Sequence, residues 1–225
     1  MGLAVRIIPI LLKRGDLLVK GEKFDSTRVV GHVLQAAKIH QARGVDELCI
    51  FDVACDEPDY AAIEELTASC WMPLSVGGGV RTIEHMRGLF NAGADKVVVK
   101  ATIGNVSLVR TAADRFGCQA IVVSLETEET MAPVFEEAGA GEILLQSRAR
   151  DGTMGGYDLD LIRSVCDSVQ IPVIAAGGCG TPQHALEAIR AGASAVGIGA
   201  MLQFSDETPA TVARYLAEHG CEVRN

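Results

Sequence analysis

The chain alternates short apolar runs with longer segments in which apolar residues recur every three or four positions. The runs are rich in Val and Ile, which favours β-strands, and the longer segments have the period of amphipathic helices. The predicted strands cover 5–11, 46–52, 72–76, 95–99, 119–124, 141–145, 171–175 and 194–198. The predicted helices cover about 31–43, 57–69, 82–92, 105–116, 128–138, 158–167, 181–190 and 206–218.

Strands that are each followed by a helix predict a parallel sheet covered by helices. The eight units suit a closed (β/α)8 TIM barrel, for which about 250 residues are typical, and the chain has 225. A doubly wound open sheet is the alternative, but the strands lack its G-x-G-x-x-G fingerprint. The pattern contains no linker, so we expect a single domain over 1–225.

Composition and charge limit the kinds of partner. The chain has 20 Lys and Arg against 29 Asp and Glu, a net charge of −9, and only 4% aromatic residues, so nucleic acid and membranes are poor partners. No apolar stretch approaches the about 20 residues that span a bilayer. Arg6 interrupts the N-terminal apolar run, and we expect a cytoplasmic protein. The seven cysteines form no C-x-x-C pair, which predicts reduced thiols rather than disulfides or a zinc site. No H-E-x-x-H or comparable metal spacing occurs, so we expect no metal and no cofactor.

An internal repeat relates two parts of the chain at an offset of 99 residues. Residues 73–101 align without a gap to 172–200, with ten identities in 29 positions. The identities include Gly78 with Gly177, Gly79 with Gly178, and His85 with His184. In a barrel these two units are strands 3–4 and 7–8, so they lie on opposite sides of the mouth.

The repeated glycine pairs predict anion sites. Glycine between a strand and a helix lets the backbone approach a ligand and aims free N–H groups at an anion. In barrels the loops after strands 7 and 8 often bind phosphate. The predicted sites use Gly177, Gly178, Gly199 and Ala200, and by the repeat Gly78, Gly79, Ala101 and Thr102. Two such sites suit a ligand with a phosphate at each end; the alternative is that the glycines only allow tight turns.

Ionisable residues near the C-terminal ends of strands are candidates for chemistry, because barrel enzymes keep their active sites there. They are Lys20, Asp52, Lys100, Glu126 and Asp151. Lys20 falls in a predicted loop, and a strand-end carboxylate is often only a loop cap. His85 and His184 fall in predicted helices, where outer-surface positions are favoured over acid or base roles.

Two positive and two negative residues lie near the opposite ends of strands 1, 2, 4 and 6. They are Arg6, Glu47, Lys96 and Glu142. From the residues alone, this charge-balanced set is interpreted as a solvated rim or a stabilising plug at the barrel bottom.

Several segments resemble the cyclase subunit of imidazole glycerol phosphate synthase, the HisF family. The matching segments are RIIPILL with LVKG, GVDELCIFD, VGGGVRT, AGADKVVV, FGCQAIVVS, GAGEILLQS with RDGTMGGYDLDL, IPVIAAGG and YLAEHG. They extend over nearly the whole chain, and DELCIFD, GAGEILL and RDGTMGGYD in that order are specific.

The resemblance implies two phosphate sites and a class I, HisH-like glutaminase that docks on the barrel bottom and sends ammonia up the interior. By position, the phosphate contacts fall on Gly79, Ala101, Gly152, Gly178, Gly199 and Ala200. The family's salt-bridged ammonia gate falls on Arg6, Glu47, Lys96 and Glu142, which changes the interpretation of that set. Lys20 and the glutaminase-facing Asp95 also match.

The catalytic pair of the family is not kept. The family uses two aspartates, at the ends of strands 1 and 5, as acid and base. Here the first position is Leu12, which cannot exchange a proton, and the second is Glu126. A further family aspartate is replaced by Ala149, and the loop between strands 5 and 6 is too short for the family's flap.

Three functions therefore remain open. The first is an ammonia-accepting synthase subunit of a two-subunit glutamine amidotransferase, of the kind found in bacterial surface-sugar pathways. It would act on a phosphorylated sugar or nucleotide sugar, with Glu126 and Lys20 as candidate catalytic residues. The second is a non-catalytic barrel that activates a glutaminase. The third is a histidine-pathway cyclase with rearranged acid and base groups.

Overall fold

A computed structural model of the chain describes residues 4–126 and 131–223. Within these ranges ten strands form one sheet, and eight of them run parallel around a closed barrel. The barrel closes where the first strand pairs with the last, with Arg6 opposite Ala195 and Pro9 opposite Ile198. The predicted (β/α)8 barrel is confirmed.

The elements alternate along the chain as the sequence pattern predicts. The barrel strands are β1 (Arg6–Arg14), β4 (Leu48–Asp52), β5 (Leu74–Gly77), β6 (Lys96–Lys100), β7 (Ile121–Leu125), β8 (Glu142–Gln146), β9 (Val173–Ala176) and β10 (Ala195–Ile198). The other two strands are β2 (Leu17–Glu22) and β3 (Asp25–His32). The helices are α1 (Val33–Ala42), α2 (Tyr60–Ser69), α3 (Ile83–Asn91), α4 (Val106–Phe116), α5 (Ala132–Glu137), α6 (Leu159–Ser168), α7 (Pro182–Arg190), α8 (Met201–Phe204) and α9 (Pro209–Glu218). None of the helices described here has the length and apolar character that a membrane span needs.

The segment between β1 and α1 is an antiparallel hairpin rather than the predicted loop. β1 continues to Arg14, the chain turns at Gly15 and Asp16, and β2 returns with Val19 opposite Leu12. Gly15 has a φ of 57°, the left-handed conformation that a two-residue hairpin turn requires. Because the hairpin continues through β3, α1 begins later than predicted.

Side chains of the barrel strands alternate between two apolar layers, because successive residues of a strand face opposite sides. In β1, Ile8 and Ile10 lie in the barrel interior, whereas Ile7 and Leu11 lie in the layer between strands and helices. The interior layer also contains Cys49, Val98, Val122, Leu144, Ile174, Ala176 and Ala195. An apolar column therefore connects the two ends of the barrel.

The two copies of the repeat fold alike. β5, α3 and β6 in the first copy correspond to β9, α7 and β10 in the second. The hydroxyl groups of Thr82 and Thr181 cap α3 and α7, each by accepting the N–H group three residues on. The two units lie on opposite sides of the barrel, since two barrel strands separate them in either direction, β7 and β8 one way and β4 and β1 the other.

Two other helix boundaries differ from the predicted ones. The helix predicted over 128–138 is described only from α5 onward, because 127–130 lie outside the described residues. The helix predicted over 206–218 begins at Pro209, after a capping box formed by Thr208 and Thr211.

His40, in the last turn of α1, makes folding depend on pH. It is 4% exposed, and its Nδ1 has no hydrogen-bond partner among the described residues. Burial, and secondarily the charge of Arg43, lower the pKa of His40 from 6.5 to about 4. Between these pH values the unfolded chain binds a proton that the folded chain does not, so stability is lost as the pH falls.

We expect His40 to lower the free energy of unfolding by about 3 kcal/mol between pH 7 and pH 4. Urea titration at several pH values across this range measures how steeply the free energy of unfolding falls with pH. The variant His40→Leu should lose this part of the dependence, and an unchanged slope in the variant would contradict the assignment.

Candidate functional site

The C-terminal ends of the barrel strands surround a pocket of about 940 Å³. Its walls include the residues predicted for the two anion sites, with the exception of Ala101. Lys20 and Glu126 also line it. The structure thus brings residues from both copies of the repeat, and from the hairpin, to one mouth.

On one side of the mouth, the loop from β9 to α7 meets the loops that follow β8 and β10. Gly177 and Gly178 have φ values of 88° and 104°, which residues with a Cβ rarely adopt. The backbone N–H groups of Gly178 and Gly199 have no acceptor among the described residues. A side chain at position 199 would lie 2.7 Å from Lys20 Nζ, so the glycine lets the buried ammonium group approach the backbone. Free N–H groups beside a lysine fit an anion.

The β8–α6 loop adds Gly152 to this side, with a φ of 73°. A Cβ at position 152 would lie 2.4 Å from the carbonyl oxygen of Gly21, so glycine allows the loop to contact the hairpin. Asp151 Oδ1 lies 3.8 Å from Lys20 Nζ. The hairpin that the sequence pattern did not predict is therefore what carries Lys20 to the site.

The opposite side of the mouth repeats this arrangement with one difference. Gly78 and Gly79 have φ values of 110° and 65°, and the N–H group of Gly79 has no acceptor among the described residues. Ala101 donates its N–H group to Ser124 O at 2.8 Å, so this group is not available to an anion. Thr102 does line the pocket.

The strand-end carboxylates are paired with lysines. Glu126 Oε1 lies 2.9 Å from Lys100 Nζ, in an ion pair that joins the ends of β6 and β7. Asp52 follows the inward-facing Phe51 and therefore faces the helices, where its Oδ2 lies 2.6 Å from Lys13 Nζ. Asp52 is thus not directed at the centre of the mouth, and Glu126 is not a free base.

Lys13 is a buried cation that the sequence pattern did not single out. Its Nζ donates to Asp52 and, at 3.0 Å, to Asp59 Oδ2, the residue that caps α2. Burial alone would lower the pKa of Lys13, but hydrogen bonds and charge interactions with the two aspartates raise it above its usual value. The alternation along β1 could have predicted that Lys13 is buried, because position 13 shares the helix-facing side of the strand with Ile7 and Leu11.

The floor of the mouth is apolar on one side and polar on the other. Leu12 and Phe51 pack against the interior apolar layer on the side of β1 and β4. On the side of β7 and β8, Ser124 Oγ donates to Gln146 Oε1 at 2.9 Å. The inward-facing residue at this end of β1, Leu12, therefore offers no group that can exchange a proton.

At the opposite end of the barrel, the four charges predicted there form a closed ring of ion pairs, here called the charge ring. Arg6 pairs with Glu47 and Glu142 at 2.8 Å each, and Lys96 pairs with the same two carboxylates at 3.0 Å each. The four side chains are 4% to 18% exposed. Burial would lower the pKa of Arg6, but the two glutamates raise it.

Directly above the charge ring the barrel interior becomes apolar. Ser75 Oγ donates to Glu47 Oε1 at 2.6 Å, so both oxygens of this buried carboxylate are bound. Cys49 is the next inward residue of β4, and burial raises the pKa of its thiol, which keeps it uncharged. The charge ring is therefore separated from the mouth by uncharged side chains.

The rim around the charge ring carries Asp95 and Trp71. Asp95 Oδ2 accepts the N–H group of Leu74 at 2.8 Å, and the residue is exposed. Trp71 precedes β5 on the same face, and 84% of its surface is exposed. Tryptophan is rarely so exposed, and it is enriched at the centres of protein interfaces.

His85 and His184 lie in helices, as predicted, but they are only partly exposed. They lie in the first turns of α3 and α7, at the mouth end of each helix, and both are half-buried. Their rings contact the glycine loops of the mouth. Their identity in the repeat was the signal for a shared position, but the helical pattern could not show which way the rings turn.

The fold and its two ends define a class of protein, namely a (β/α)8 barrel built from two related halves with matched glycine loops at the mouth. The chain belongs to the histidine biosynthesis protein family, whose model matches residues 6–208, and it is a HisF-like member of that family. The resemblance seen in the sequence motifs is confirmed.

Two relatives match essentially from end to end. Imidazole glycerol phosphate synthase subunit HisF of Streptomyces coelicolor is 39% identical over 251 aligned positions, which cover 100% of both chains. A Campylobacter jejuni protein, provisionally named imidazole glycerol phosphate synthase subunit hisF2, is 35% identical over 245 positions that cover 99% of both chains. The first alignment is longer than the 225 residues of this chain, so that relative has residues that this chain lacks.

Proposed function

We propose that this chain is the ammonia-accepting synthase subunit of a two-subunit glutamine amidotransferase and that it acts on a phosphorylated sugar or nucleotide sugar. The observation that carries the proposal is the charge ring beneath an apolar interior. Ammonia is small and neutral, so it can cross an apolar column in which an ion would be unstable. Paired charges at one end of that column and a polar mouth at the other suit entry and reaction of ammonia.

The partner in this proposal is a class I glutaminase that binds at the charge ring. The Streptomyces relative is named as a subunit, which supports an assembly of more than one chain. Asp95 and Trp71 lie on the rim of that face and give it a charged and an aromatic contact. Ammonia released there would enter the barrel without passing through solvent.

The substrate in this proposal is held by phosphate at the two glycine loops. Lys20 would contact the phosphate end at Gly178 and Gly199, and Glu126 would exchange the proton at the amination step. For this role the substrate must displace Lys100, because the carboxylate of Glu126 is otherwise held in an ion pair.

Soaking crystals in phosphate or sulfate should place anions at both loops, with the larger occupancy at Gly178 and Gly199. The reason is that Lys20 and Gly152 adjoin that side, whereas Ala101 has no free N–H group on the other. Difference density measures both occupancies. Density at neither loop would contradict the phosphate sites.

The structure favours amination over imidazole ring closure. The first catalytic position of the family is Leu12 in the apolar floor, and Glu126 at the second position is paired with Lys100. Expression in a histidine auxotroph that lacks the cyclase should therefore give no growth. The Streptomyces relative is the positive control, and growth with this chain would contradict the proposal.

A second candidate function is a barrel that only activates a glutaminase, and Leu12 together with the engaged Glu126 favours it. The two functions differ when ammonium salts replace glutamine. We expect the purified chain to aminate a phosphorylated sugar or nucleotide sugar under these conditions, as followed by mass spectrometry. Failure across a panel of such compounds would favour the activating role.

A further inference from the structure

Two histidines at equivalent positions of the repeat connect the glycine loops of the mouth to the helices that follow them, through contacts of their ring nitrogens. His184 Nδ1 accepts the N–H group of Gly180 at 3.2 Å. His85 Nδ1 lies 3.0 Å from Gly79 O and 3.4 Å from Arg81 N. Each imidazole therefore spans from the first turn of its helix to the loop before it.

On the side of His184, the β8–α6 loop also contacts the glycine loop. Gly156, in the β8–α6 loop, donates its N–H group to Gly178 O at 2.8 Å. A Cβ at position 156 would lie 3.6 Å from His184 Cδ2, so the imidazole ring packs against the β8–α6 loop. The segment that carries the free N–H group of Gly178 is thus held by His184 on one side and by Gly156 on the other.

The imidazoles are not needed to begin the helices. Thr82 and Thr181 already cap α3 and α7 through their hydroxyl groups, at 3.1 Å and 3.3 Å from the N–H groups of the two histidines. The rings reach further back, to loop residues before the caps. A role in helix capping therefore leaves the ring contacts unexplained.

We propose that His85 and His184 are positioning residues, each of which holds the glycine loop of its own anion site in the binding conformation. The inference rests on the proposed function, because it takes the two loops as phosphate sites. Glycine has more conformational freedom than any other residue, so a glycine loop that binds through N–H groups must lose that freedom on binding. A ring that fixes the loop beforehand reduces this loss, and affinity rises without contact between histidine and anion.

The test titrates inorganic phosphate into protein labelled with 15N-glycine and follows the amide signals of Gly178 and Gly79 separately. His184→Ala should weaken binding at Gly178 about fivefold, the effect of one hydrogen bond, and leave Gly79 unchanged. His85→Ala should do the reverse. His184→Asn should bring the affinity back to within about twofold, because its Oδ1 can accept the same N–H group.

Thr208→Ala is the matched control, because it removes the cap of α9 rather than a contact of the glycine loops. It should lower the melting temperature and leave both phosphate affinities unchanged. The inference is overturned if His184→Ala leaves both affinities unchanged, if it weakens both sites equally, or if asparagine gives no rescue. Absence of any phosphate response in the unmodified protein would instead overturn the anion sites themselves, and the positioning role with them.

Discussion

Replacing Lys96 with alanine is expected to lower the free energy of unfolding by about 2–4 kcal/mol, because Glu47 and Glu142 would each keep only Arg6 as a partner in the charge ring. The two carboxylate side chains are 4% and 10% exposed, so solvent compensates little of the lost charge. Chemical denaturation measures the change. Lys96→Arg is the matched control, since it keeps a cation at the same position and should restore most of the stability.

The same variant should affect the reaction with glutamine more than the reaction with added ammonium salts. If the charge ring admits ammonia, Lys96→Ala should reduce the glutamine-dependent reaction of the assembled complex and leave the reaction with added ammonium salts largely intact. Steady-state rates with each source, measured below the unfolding transition, give the comparison. An equal loss with both sources would assign Lys96 a role in stability alone.

Gly178→Ala should abolish phosphate binding at its side of the mouth and destabilise the chain by about 3 kcal/mol. Two effects add at this position. The backbone φ of 104° strains any residue with a Cβ, and that Cβ would lie 2.2 Å from the carbonyl oxygen of Gly156. Because backbone meets backbone there, the contact can be relieved only by moving the loop that carries the free N–H group away from the β8–α6 loop, or the reverse.

Gly155→Ala is the control for this prediction. Gly155 lies in the neighbouring β8–α6 loop, and its added Cβ would meet nothing nearer than Thr153 Oγ1 at 3.6 Å. We expect it to change neither the melting temperature nor phosphate affinity beyond experimental error. Normal phosphate binding by Gly178→Ala would show that this loop does not form the anion site.

The barrel could be predicted because its strands are buried on both faces. Such strands become continuous apolar runs, and each is followed by a helix with one apolar side. The hairpin is not evident from this pattern, because within 4–126 and 131–223 β2 and β3 pair only with each other and with β1, and Lys20 and Gly21 interrupt the apolar pattern. A turn at Gly15 and Asp16 is compatible with a loop as well as with a hairpin.

The site was predictable as far as residue type determines geometry. Glycine repeats mark backbone that must adopt positive φ, and Gly178 and Gly79 do so. Ala101 shows the limit, because whether its N–H group stays free depends on how far the pairing with β7 continues. The engagement of Glu126 by Lys100 likewise depends on side-chain directions that the sequence pattern does not contain. From the residues alone, the four charged side chains of the charge ring fitted a solvated rim or a stabilising plug, and only the family resemblance implied an ammonia gate.

Glutamine labelled with 15N in its side-chain amide tests the proposed transfer of ammonia through the barrel. The labelled glutamine is supplied to this chain together with the class I glutaminase proposed as its partner, phosphorylated sugars or nucleotide sugars, and unlabelled ammonium in the solvent. We predict that 15N appears in an aminated sugar product and that the unlabelled ammonium dilutes it little. Recovery of all the 15N as free ammonium, with every compound offered, would contradict the assignment of this chain as an ammonia-accepting synthase subunit.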